Sequence, residues 1–112
     1  MGSSLIKLLY EEGMSIMKEE DRRKALIALK NLAMALNKYH SALTAEYVNE
    51  SLVELQKEQA MAFAGSFLYF LQKSSNLRIS EGIELNEVEE ARWREVSSLK
   101  TVANGLFFGM GL

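Results

Sequence analysis

Between residues 25 and 43 three apolar series each recur at a spacing of seven. Ala25, Leu32 and Tyr39 form one, Ala28, Ala35 and Ala42 a second, and Leu29, Leu36 and Leu43 a third. A seven-residue apolar recurrence is the signature of helices packed with a left-handed, coiled-coil-like crossing. It excludes a strand, whose apolar residues alternate at two. The alanine series sets a second constraint. Interaxial distance follows the side chains at the contact, so small residues along the stripe let a neighbouring helix lie close.

The surrounding composition agrees with this constraint. The chain has no proline, and valine and isoleucine are outnumbered by Leu, Ala, Met, Glu and Lys, which favour helices. One hundred and twelve residues suit one domain, residues 1–112, and can bury a core without a metal or disulfide staple. The expected fold is all-α, a four-helix up-down bundle or a closely related helical array. The expected helices cover about residues 3–18, 21–44, 48–74 and 86–106. Helices two and three would form a close antiparallel hairpin, each about 36 Å long at 1.5 Å per residue.

Local patterns place the remaining elements. In the first helix Leu5, Ile6, Leu8, Leu9, Ile16 and Met17 make a stripe at helical spacing, interrupted by Gly13. Asp21 is a candidate N-cap for the second. The third carries small residues, Ala60, Ala62, Ala64, Gly65 and Ser66, expected to face the alanine series. Phe63, Phe67, Phe70 and Leu71 are expected to fill the core beside that seam. Residues 74–85, "SSNLRISEGIEL", read as the longest connection. The fourth helix opens at Asn86 with Glu89 three residues on, a capping-box pattern. Its apolar face is expected to hold Val88, Ala91, Val96, Leu99, Val102, Ala103 and Leu106.

Charge and cysteine usage bound the function classes. Lys and Arg number 13 against 15 Asp and Glu, a formal charge of −2, without the basic footprint of a nucleic-acid binder. With no cysteine, disulfide frameworks, zinc fingers and cysteine nucleophiles are excluded, which fits a cytoplasmic protein. The longest uncharged run within the chain, residues 59–72, is shorter than the roughly 20 residues a membrane span needs. His40 is the only histidine and Asp21 the only aspartate, about five helical turns apart along the expected second helix. The paired Glu-x-x-His motifs of a di-iron bundle are missing. No catalytic residue, metal site or cofactor is therefore assigned, and an enzyme is not the expected class.

Four features are candidate contact surfaces. Residues 101–112, "TVANGLFFGMGL", carry no charge, and Phe107 and Phe108 diverge by about 100° on a 3.6-residue helix, so one projects from the core. Leu106, Phe107, Phe108 and Met110 are the partner-binding candidates of this segment, with a second copy of the chain as the expected partner. Trp93, flanked by Arg92 and Arg94, is expected at a half-exposed margin and is the second candidate. Glu46, Glu50, Glu54 and Glu58 recur at four and would build an acidic ridge on a continuous helix. Arg22, Arg23 and Lys24 form a basic cluster, which Glu19 and Glu20 are spaced to pair locally.

The leading reading is a non-catalytic helical interaction module, homodimeric through its apolar C-terminal segment, with another protein as a further partner. One alternative is a ligand-binding or enzymatic bundle whose pocket is lined by Met34, Tyr39, His40, Phe63 and Tyr69. Another is an accessory subunit of a nucleoprotein complex using residues 18–24.

Overall fold

The computed structural model describes residues 19–37 and 39–103. Among them are four α-helices and no strand: α1, Glu19–Ala35; α2, Ala42–Leu55; α3, Ala60–Glu81; and α4, Glu87–Ser98. A further helical turn covers residues 100–103. The all-helical bundle expected from the heptad pattern is the observed fold. Its helices run alternately up and down. Arg22, near the start of α1, reaches the carbonyls of Gln56 and Glu58 just beyond the end of α2. Glu81, at the end of α3, reaches the first amides of α2. Glu89, at the start of α4, reaches Asn37 beyond the end of α1. α1 packs on both α2 and α4, and α2 on α3.

The core follows the expected stripe as far as residue 36. Ala25, Ala28, Leu29, Leu32 and Leu36 are all buried. α3 contributes Phe63, Ala64, Phe67, Phe70 and Leu71, all buried as expected. The rings stack in a ladder, Phe63 on Phe67 at 5.8 Å, Phe67 on Phe70 at 6.4 Å and Phe70 on Tyr47 at 5.7 Å between centroids. Burying each phenylalanine side chain contributes about 1.5–3 kcal/mol. Of the small residues of α3, Ala64 is core, while Ala62 faces solvent and Gly65 and Ser66 are half-buried.

Three boundaries differ from expectation. The expected helix 21–44 is two helices, broken at residues 36–41, so that Tyr39 is fully exposed and Ala42 and Leu43 face outward. The expected helix 48–74 is likewise divided at residues 56–59. There the chain turns through Gln56 and Lys57, and the Arg22 guanidinium takes two of the freed carbonyls. The close hairpin is therefore made by α2 and α3, not by two rods of equal length. Finally, residues 74–81 are helix, not loop. α3 runs on to Glu81 and stops at Gly82, whose φ of 66° is the left-handed C-cap conformation glycine adopts without penalty.

α4 begins as its sequence suggests. The Asn86 side chain accepts from the Glu89 amide at 2.8 Å, and Glu89 Oε1 accepts from the Asn86 amide at 2.9 Å. Its inner face is rotated from the expected one, however. Glu89, Trp93, Val96 and Ala103 are buried, whereas Val88 and Ala91 face outward. The expected end at about residue 106, with Leu106 on the apolar face, and the expected helix 3–18 lie outside the described residues.

Candidate functional site

The densest polar structure joins residues 36–44 to the ends of α3 and α4. The chain leaves the helical path at Asn37. Its amide donates to Glu89 Oε2 at 3.0 Å. Its own Oδ1 accepts from the Tyr39 amide at 2.8 Å, a short Asx turn. Its carbonyl accepts from both the amide and the hydroxyl of Ser41. Ser41 consequently cannot cap α2 with its side chain, although it holds the N-cap position. Glu81 caps α2 instead. Its Oε2 accepts from the Leu43 amide at 2.8 Å, and its Oε1 accepts from the amide and the hydroxyl of Thr44.

His40 is drawn into this clasp. Its Nε2 lies 3.2 Å from Glu89 Oε1. Glu89 is fully buried, and the donors that make this tolerable are the amides of Asn37 and Asn86, with the His40 imidazole beside them. Loss of water pushes the Glu81 carboxyl upward, but the Thr44 hydroxyl, the Leu43 and Thr44 amides and the field of His40 outweigh it. The group is held below the usual carboxylate range. Among the described residues every buried side-chain polar atom has a hydrogen-bond partner. The clasp is thus a positioning structure: two carboxylates occupy the amides that a helix break sets free. No sequence pattern pairs Glu81 with Thr44, because their contact spans 37 residues.

The pocket expected around His40 is not assembled. Met34 lines an open groove of about 850 Å³ between α1 and α2, beside Lys30, Leu36, Glu46 and Glu50. Tyr69 lines a different groove, between α2 and α3, with Tyr47 and Lys73. Phe63 is core, next to Arg22 at the opposite end from the clasp. Tyr39 is free in solvent.

Trp93 is 7% exposed, so the half-exposed margin expected from its arginine neighbours is corrected. It stands four residues from Glu89 and three from Val96 on the inner face of α4. The cation over its ring, 5.2 Å from the centroid, is Arg78 of α3. Arg78 is held in turn by Glu90.

Glu46, Glu50 and Glu54 do share an exposed face of α2. Glu58 leaves it, because the helix ends at Leu55 and the Glu58 carboxylate turns to accept from the Ser66 hydroxyl. Glu54 pairs with Lys57 at 3.5 Å, while among the described residues Glu46 and Glu50 have no basic partner within 4.0 Å. No group of described residues has the arrangement of a metal site.

In the basic cluster, Arg22 is committed to the fold through Glu19, Gln56 and Glu58. Arg23 and Lys24 are exposed and lie 3.7 Å from Glu19 and Glu20 respectively. Among the described residues no helix is long and apolar enough to cross a membrane. Leu106, Phe107, Phe108 and Met110 lie outside the described residues.

Compared with known protein families, with curated proteins and with solved structures, the chain finds no match.

Proposed function

We propose that the chain is a non-catalytic helical interaction module that forms a homodimer through its apolar C-terminal segment. The observation that carries this reading is the burial of Ala103, which is 0% exposed in the last described turn. The inner stripe of α4, Trp93 and Val96, is continued by Ala103 in the turn that follows and so reaches the edge of that segment. Phe107 stands four residues further, in phase with the stripe at helical spacing. Phe108 follows it in the sequence, and Leu106 and Met110 are apolar as well. Adjacent aromatics diverge by about 100° at helical spacing, and apolar side chains that one core would not hold together are what a second copy of the chain would cover.

Glu46 and Glu50 have the place in this reading where a basic protein partner would meet the surface. Their charges lie beside the exposed Met34 in the α1–α2 groove. Ser41 and Thr44, close to His40 in the chain, bond to Asn37 and Glu81, which supports a structural use of these hydroxyls.

Analytical sedimentation tests the proposal. The full chain is expected at twice the mass of one chain, and a chain ending at Asn104 at the mass of one. Equal masses for the two would overturn it.

A further inference from the structure

The heptad pattern does not stop where α1 stops. Tyr39 extends the Ala25–Leu32 series and Leu43 the Leu29–Leu36 series, yet Tyr39 is 99% exposed and Leu43 58%. Residues 36–41 contain no glycine or proline to force a break. Helical hydrogen bonding even persists in part across it. The Ser41 amide donates to the Asn37 carbonyl at 3.0 Å, and the Ala45 amide to the Ser41 carbonyl.

What holds the break open is a set of side-chain acceptors, most of them from elsewhere in the fold. The Asn37 amide goes to Glu89, the Tyr39 amide to the Asn37 side chain, and the Leu43 and Thr44 amides to Glu81. Two of the three acceptors are carboxylates supplied by α3 and α4. Without them those amides have a ready alternative, the carbonyls four residues back on a continuous helix.

We infer that residues 36–41 are a two-state hinge, and that releasing the Glu81–Glu89 clasp fuses α1 and α2 into one rod whose α1 half docks in the bundle of a second copy of this chain. Fusion returns Tyr39 and Leu43 to the apolar stripe. A rod over residues 19–55 is about 55 Å long. It carries α1 away from its own α4, so the surface α1 now buries on α4 has to be met by the other copy. Exchange of an identical element is an inexpensive route to a dimer because the contacts already exist. This dimer differs from the tail-mediated one, in which α1 stays on its own α4.

The absence of cysteine allows a direct test. Lys24 and Glu95 are exposed on opposite walls of the groove between α1 and α4. Full-length protein carrying Lys24→Cys and Glu95→Cys is treated with a short bismaleimide. With the clasp intact the cross-link closes within one chain. With Glu81→Ala and Glu89→Ala added, it is expected to close between chains, raising the covalent dimer several-fold and with protein concentration. A tail-mediated dimer leaves the cross-link within one chain, so failure of either proposal is seen separately.

Two further variants keep the test decisive if the clasp variant folds poorly. Asn37→Ala removes the acceptor of the Tyr39 amide at an exposed position without touching the core, and is expected to raise the chain-to-chain product. Tyr39→Gly disfavours the rod and is expected to lower that product about fivefold. A folded Asn37→Ala protein that cross-links only within chains would overturn the inference. So would a dimer fraction that Tyr39→Gly leaves unchanged.

Discussion

Glu81 lies at the last residue of α3, yet the amides it satisfies open α2. An N-cap supplied by a distant side chain does what a local serine or aspartate usually does, and its loss costs about 1 kcal/mol. The position also makes the cap pH-dependent. The folded carboxyl is held below the usual range, chiefly by its hydrogen bonds from Thr44 and Leu43 working against the effect of burial. A depressed folded pKa contributes stability that is fully present above the ordinary carboxylate value of about 4.3. That contribution is lost as pH falls through the lower folded value. Glu81→Gln is therefore expected to lower the urea midpoint at pH 7, and the gap from the native protein should shrink as the medium is acidified below pH 4. A gap of constant size across that range would show that the charge at Glu81 is not what caps α2. Such residues are hard to find in the sequence. Glu89 could be recognised as half of a capping box from the spacing Asn86–Glu89, but its second set of contacts, to Asn37 and His40, depends on a loop some 50 residues earlier.

At the scale of elements, the register of α1 was legible and its end was not. Ala25, Ala28, Leu29, Leu32 and Leu36 point inward as the seven-residue recurrence requires. The same recurrence continues through Tyr39, Ala42 and Leu43, where it no longer describes the structure. The one local element against it is the Asx turn of Asn37, and the rest of the break is set by carboxylates from α3 and α4. The division at residues 56–59 has a similar origin in Arg22. The end of α3 is a different case. Gly82 is a glycine at a helix C-terminus, and read as a stop signal it would have placed residues 74–81 in the helix. Nothing lies within 4 Å of where a Cβ on Gly82 would be, so Gly82→Ala meets backbone strain alone. It is expected to destabilise by about 1 kcal/mol, read as a lower urea midpoint with an unchanged slope. A larger loss, or a changed slope, would mean that the cap is coupled to more than the end of its own helix. Trp93 was misplaced because its neighbours in sequence are arginines, whereas its neighbours at helical spacing are Glu89 and Val96.

For the whole molecule, one aromatic ladder and one inner stripe of α4 serve all four helices, with no second core among the described residues. Small domains built this way unfold in a single cooperative step. Trp93, the only tryptophan, sits in that core and gives a clean probe. Its fluorescence is expected to be blue-shifted in the native protein and to change in urea at the same midpoint as the helical circular dichroism. Separate midpoints would mean that α4 leaves the bundle before α1–α3 melt. The alternation of helix direction has a mechanical consequence as well. Because α1 and α4 run antiparallel, Glu19 and Ala103 belong to the same end of the bundle. Tension applied at these two points loads the α1–α4 seam from one end, so the helices peel apart turn by turn instead of sliding past each other. A load entering through its flanking segments would thus meet little resistance, and the clasp at the far end would be the last tie to part.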